Sequence, residues 1–288
     1  MGPRVRKAVA RAYRLTTRPP GLEEMVEVQP GLTVPRFVLE WSKHGPEEAR
    51  AFLGCVPGFV ELDGKSVLAL GRGGADLGIE VARRRARRVV AVDMAARRMK
   101  LTEARIEEEE EARLPVEIRP FAGSLAELGD ERFDVVLAAD AFRRYGAERS
   151  SRHLEELVGE MSAHLEEGGL LAVGFSPPWK SPFGGSGDSR VPWAHLVFPE
   201  SVIFEEFRRV RSGNRAQTFD DIGINRITVA RFRRAMNESS LKCLCFETNV
   251  RQSRAAPAMR ALSRLKPLEE YFTLNAYGVW RQPRSDAA

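Results

Sequence analysis

Between positions 66 and 175 the chain alternates short apolar runs with longer amphipathic stretches. The runs 66–70, 88–93, 116–120, 133–139 and 169–175 have the length and the valine and leucine content of strands buried on both faces. The stretches 75–85, 95–112 and 149–165 carry apolar residues at helical spacing. A β-α-β-α rhythm of this kind predicts a parallel sheet with helices on both faces. After position 175 the rhythm breaks. Residues 176–226 are rich in Pro, Gly, Ser and aromatics, with one helix expected near 199–211. A long irregular insert in a compact domain reads as a functional lid. It is too short and too rich in Pro and Gly to bury a core of its own. The pattern then returns, with a capped helix over 228–239, a strand over 241–249 and a final strand over 271–281. Upstream, residues 1–35 read as a basic arm with little regular structure and a short helix near 5–14. Residues 36–58 read as helical, interrupted at Gly45-Pro46. The expected organisation is therefore an N-terminal arm with helices over 1–58, a main domain over 59–282 with the lid insert at 176–226, and a flexible tail over 283–288.

The 288 residues are 43% hydrophobic, enough for one large α/β domain with an insert. No apolar run reaches membrane-spanning length. The basic N-terminus lacks the apolar segment of a secretory signal, so a cytoplasmic location is expected. Cys55, Cys243 and Cys245 have neither zinc nor disulfide spacing; Cys243 and Cys245 should share one face of a strand as small buried hydrophobes. The adjacent carboxylates Glu107–Glu111 spread around a helix and cannot converge, so no metal site is expected. The net charge is +5, the sequence pI is about 9.3, and only seven of the 45 basic residues are lysine. A basic surface can attract RNA, membrane phosphates or an acidic small molecule. No aromatic-basic RNA module is present, which argues against nucleic acid as the partner without excluding it. Oligomeric state is not readable from the sequence.

The candidate chemistry begins where the first strand of the alternation runs into Gly71-Arg72-Gly73-Gly74. Glycines at a strand-to-helix turn let backbone approach a ligand. Asp93 ends the next strand, 22 residues after Gly71. An acid at that distance reaches a ribose hydroxyl pair, and it can equally cap the helix that follows. A nicotinamide-dinucleotide turn wants glycine where Asp76 stands, which disfavours a dehydrogenase. Asp140 follows the fourth strand at the edge where open α/β sheets bind ligands; it can contact substrate or cap the next helix. His195 lies in an apolar Trp-Ala-His-Leu stretch and is either a packed histidine or a general base. His44, His153 and His164 are expected at the surface. Trp179, Phe183 and Trp193 can line a substrate pocket or pack the insert.

Here the chain resembles the class I S-adenosylmethionine-dependent methyltransferases. Gly71-Arg72-Gly73 is similar to their first glycine motif, and 89–93 to their ribose-binding strand. Gly123-Ser124 lies where the family contacts adenine. Residues 133–137 are similar to the fourth strand, and 165–173 to the turn into the fifth. The resemblance implies a Rossmann-like, doubly wound, seven-stranded sheet, mostly parallel with an antiparallel last strand, and a lid insert after the fifth strand. It implies S-adenosylmethionine as cofactor, held by Gly71, Arg72, Gly73, Asp93, Met94, Ser124 and Leu125. Within the insert, Ser181-Pro182-Phe183-Gly184 and the run 192–200 resemble a bacterial subgroup with small-molecule, sugar or lipid acceptors. The implied reaction is methyl transfer to an oxygen of such an acceptor, with His195 or Asp140 as base and Trp179, Phe183 and Trp193 around the acceptor. The family pattern has an acid at Ala69, glycine at Ala75 and often an acid at Ser124. These departures motivate a second reading, a methyltransferase-like binding or regulatory protein without transfer. The arginines motivate a third, an RNA methyltransferase.

Overall fold

The computed structural model describes residues 2–13, 24–36, 39, 43–71, 74–93, 103, 114–121, 124–144, 154–185, 189–210, 216–222, 224, 226–250 and 256–284. Apart from residue 103, the expected helix over 95–112 lies outside them, as do His153 and residues 285–288 of the expected tail.

The sheet follows directly from the apolar runs. Strands β3 (Ser66–Gly71), β4 (Arg88–Asp93), β5 (Val116–Pro120), β6 (Phe133–Ala139) and β7 (Leu165–Phe175) are parallel. They are joined by β8 (Lys242–Thr248) and β9 (Ala276–Arg281), in the order β5-β4-β3-β6-β7-β9-β8. β9 runs antiparallel between β7 and β8, so the other strands all point one way. Side chains alternate across a strand, and each face becomes one core. Val67, Ala69, Val89, Ala91, Val135 and Leu137 pack against helices α2 (Gly45–Leu53) and α3 (Gly74–Ala82) through Phe52, Leu53, Leu77 and Val81. Leu68, Leu70, Val90, Val92, Val136 and Ala138 belong to the opposite core. There the short α4 (Ala141–Arg144) contributes Phe142, α5 (Leu154–Ala163) contributes Leu157 and Met161, and α8 (Val229–Glu238) contributes Phe232 and Met236. The apolar faces of α5 and α8 are thus covered by the sheet, as the doubly wound pattern requires.

The insert departs from expectation. Helices α6 (Ala194–Val197) and α7 (Glu200–Val210) join α1 (Pro3–Ala12) in a third hydrophobic cluster. Val9, Ala12 and Tyr13 from the N-terminus meet Ile203, Phe204, Phe207, Phe219 and Ile224. The insert therefore shares a core with the arm, which supplies the apolar surface that the insert lacks by itself. We call α1 with residues 176–226 the cap.

Other differences have local causes. β1 (Met25–Gln29) and β2 (Leu32–Pro35) form an antiparallel hairpin in what reads as irregular arm; Gly31, at φ +80°, takes the left-handed turn. The final strand starts at Ala276, because α10 (Glu269–Phe272) is a helical turn. A register shift between Cys243 and Cys245 breaks the two-residue alternation of β8, an edge strand, so Cys243 is exposed and Cys245 half-buried. The expectation that both are buried on one face is thereby corrected. The last helix, α9 (Ala256–Ser263), packs against α10. Among the described residues no helix is long and apolar enough to cross a membrane, and no group of His, Cys, Asp and Glu could hold a metal ion.

Candidate functional site

The parallel strands finish level with one another. Gly71 is paired with Asp93 on one side and Ala139 on the other, Asp93 with Pro120, and Ala139 with Gly174. From β3 the chain winds outward through β4 and β5, and later from β6 to β7 in the other direction. The connections part between β3 and β6, and the crevice above Gly71 and Ala139 is where such sheets take ligands.

Gly71 has φ +137°, and a Cβ there would lie 1.9 Å from the carbonyl oxygen of Ala139. The glycine is thus demanded by the neighbouring strand as well as by any ligand above it. The backbone of Asp93 closes β4 at the same level. Its side chain lies outside the described residues, as do Arg72, Gly73 and Met94.

Asp140 sits directly past β6 in the left-handed region, at φ +53°. Its N–H donates to the Gly174 carbonyl oxygen at 2.8 Å, and its Oδ1 accepts from the Ser176 N–H at 2.8 Å. The side chain ties the end of β6 to the point where the cap leaves β7.

After β5, Ser124 caps the 3-10 turn Leu125–Leu128, its Oγ accepting from the Ala126 N–H at 3.1 Å. Glu160 of α5 takes the Ser124 hydroxyl at 2.7 Å on Oε1 and the Leu125 N–H at 3.0 Å on Oε2. One turn later, the His164 ring contacts the Leu125 carbonyl oxygen at 3.0 Å and that of Glu131 at 2.7 Å. Two residues spaced i, i+4 therefore grip Leu125 by its N–H and by its C=O. The sequence reading missed both. It placed His164 at the surface, whereas the residue is 5% exposed. Their common spacing on the core-facing side of a helix was the available signal.

His195 is 6% exposed. Its Nε2 donates to the Trp179 carbonyl oxygen at 2.6 Å, because a carbonyl can only accept. The remaining lone pair, on Nδ1, is buried and has no partner among the described residues. Burial holds the imidazole below its ordinary pKa, partly offset by the bond to Trp179. The ring sits edge-on to Trp179, with centroids 4.8 Å apart. This is the geometry of a packed histidine; the base expected here has its basic nitrogen inside the cap.

Of the aromatics expected to line an acceptor pocket or pack the insert, Trp179 and Trp193 have packing partners within or beside the cap. Trp179 is in the cap's core against Phe219, under the guanidinium of Arg226. Trp193 donates from Nε1 to the Tyr271 carbonyl oxygen at 3.2 Å and packs on Phe272, docking the cap onto α10. Its N–H reaches the Pro182 carbonyl oxygen at 2.6 Å, which brings the partly exposed Phe183 nearby. A cavity of about 490 Å³ lies at the opposite edge of the sheet, among Arg132, Ser162, Glu238 and Gln282. It is remote from the crevice and contains none of the candidate residues.

Residues 68–173 match the family model described as a methyltransferase domain. No curated protein sequence matches the chain. Among solved structures, an S-adenosylmethionine-dependent methyltransferase from Mesorhizobium loti is similar over 81% of this chain and 96% of its own, at 13% identity and TM-score 0.51. A candidate enzyme of the same description from Listeria monocytogenes covers 83% and 98%, at 14% identity and TM-score 0.51. The [4+2]-cyclase SpnF covers 85% and 84%, at 14% identity and TM-score 0.50. Likeness at such identity speaks for the fold, and the cyclase shows that this fold is not confined to one reaction. The matched domain lies at the centre of this sheet, and the chain has the Rossmann-like fold of the class I, S-adenosylmethionine-dependent methyltransferases.

Proposed function

We propose that the crevice between β3 and β6 binds S-adenosylmethionine and that the cap presents an oxygen of a small-molecule, sugar or lipid-linked acceptor to it. The observation that carries this reading is the levelling of Gly71, Asp93 and Ala139 at the topological switch point, inside the matched domain. The residues present suit the cofactor. Gly71 puts no side chain into the crevice, Ala139 is small, and an acid ends the adjacent strand. In this reading Gly71, Arg72 and Gly73 run along the amino-acid end, Asp93 and Met94 take the ribose, and Ser124 with Leu125 borders the base. The bound cofactor supplies a methyl group on a sulfonium, already electrophilic, so the protein's task is alignment.

With the cofactor bound, its methyl group would pass to the acceptor oxygen and leave S-adenosylhomocysteine, and the proton released from that oxygen would pass to Asp140, the candidate base at the crevice, or to water. Asp140 stands at the crevice and fixes the root of the cap through Ser176, so it orients the acceptor side of the site. His195 holds the 179–185 turn to α6 and acts through packing. Trp193, docked on α10, sets how closely the cap sits.

Isothermal titration with S-adenosylhomocysteine tests the reading. Wild type should bind. Asp93→Ala should lose about 1.5–3 kcal/mol, on the order of ten- to a hundredfold in affinity, while melting unchanged. Equal affinity in the variant would remove the cofactor from β4.

A further inference from the structure

We propose that the outer face of the cap is a docking surface for an anionic membrane. The inference rests on the cap alone and stands apart from the methyl-transfer reading. Helix α1 buries Val9 and Ala12 and turns Arg4, Val5, Lys7 and Arg11 to solvent. Its end continues into the insert: the N–H groups of Arg190 and Val191 donate to the Ala12 carbonyl oxygen at 2.6 and 3.3 Å. Beyond them Val191, Leu196 and Val197 are 44%, 40% and 71% exposed. Bare aliphatic side chains of the insert, with Val191 hydrogen-bonded to the end of α1, therefore accompany a cationic helix.

Among the described residues the cations of α1 are not all consumed within the cap. Glu205 pairs with Arg6 at 3.3 Å, Glu206 with Arg209, and Glu200 with Arg226 at 2.9 Å. Asp220 is 3.4 Å from Arg226, and Asp221 accepts from the Gln217 and Thr218 N–H groups. Arg4, Lys7, Arg11 and Arg190 have no ionic partner among the described residues. Cations beside exposed aliphatics match the two terms of interfacial binding, attraction to anionic headgroups and insertion of apolar groups at the acyl boundary. A nucleic-acid surface needs cations with stacking aromatics, and aliphatic exposure gains it nothing.

Vesicle sedimentation of the full chain tests this. Wild type should pellet with phosphatidylcholine–phosphatidylglycerol vesicles at low salt. It should stay in solution with phosphatidylcholine alone and be released by about 0.5 M salt, where charges are screened within a few ångströms. Each headgroup contact by Lys or Arg is worth about fivefold, so Arg4→Gln/Lys7→Gln/Arg11→Gln should lose at least about tenfold. Val191→Ser/Leu196→Ser/Val197→Ser should weaken pelleting with the charges intact. All these positions are exposed, and unchanged thermal melting confirms that the variants fold. Wild type remaining in solution with anionic vesicles, or the charge variant pelleting like wild type, would overturn the proposal. Binding of single-stranded RNA without vesicle pelleting would assign the surface to nucleic acid instead.

Discussion

A methyl group at position 71 has nowhere to go. The Ala139 carbonyl oxygen is 1.9 Å from where it would sit, on the partner strand of a parallel ladder. Gly71→Ala should therefore cost more than about 3 kcal/mol in urea unfolding, through forced separation of β3 from β6 and loss of the positive φ. A cost under about 1 kcal/mol would show that the strand ends are looser than this geometry. The sequence accounts for the same glycine by the strand-to-helix turn and the ligand, and gives no sign of the carbonyl on the neighbouring strand. His195 gives a second test at this scale. Burial depresses its pKa, so the folded state disfavours the charged ring. Above the unfolded value of about 6.5 the neutral ring costs nothing, and as pH falls below it protonation draws the chain toward the unfolded state. The His195 contribution should make melting temperature fall between pH 7 and 5, and His195→Gln should flatten that fall. A slope unchanged in the variant would place the ring in contact with water.

Element existence was readable wherever burial was periodic. The strands 66–70 and 133–139 carry their two faces in alternate residues, and the expected edges hold to within a residue or so. Legibility failed where pairing, not periodicity, decides. The β1–β2 hairpin is short and depends on the turn at Gly31; Cys243 surfaces because of a register shift in the pairing with β9. The site was readable only as strand ends, since what braces them comes from elsewhere in the chain. Glu160 reaches 35 residues back to the Leu125 N–H. If that turn borders the cofactor's base, Glu160→Ala should weaken S-adenosylhomocysteine binding by about tenfold, the loss of charge-assisted hydrogen bonds. Glu160→Gln, which keeps one carbonyl acceptor, should recover most of it. Titration giving equal constants for wild type and Glu160→Ala would leave Glu160 as a helix-surface residue.

On the scale of the whole molecule, apolar contact falls into two parts: a sheet with a core on each face, and a cap cluster to which α1, α6 and α7 contribute. In the proposed reading the cofactor is held at the strand ends and the acceptor is presented by the cap. That reading would make the N-terminal helix a part of function although it lies far in sequence from the insert. Val9 and Tyr13 are fully buried in the cap cluster, and Tyr13 packs edge-on to Phe207. Their burial contributes roughly 3–5 kcal/mol, comparable with the stability of a small packed unit. A chain beginning at residue 14 should therefore keep its sheet and bind S-adenosylhomocysteine within about twofold of the full chain. Its cap, with Phe204, Phe207 and Phe219 uncovered, should be cut by trypsin at least about tenfold faster at the arginines of 208–226. Methyl transfer should fall with the cap. Equal cutting rates in the two chains would show that the insert holds together without α1, and that the cluster around Tyr13 is a contact of convenience.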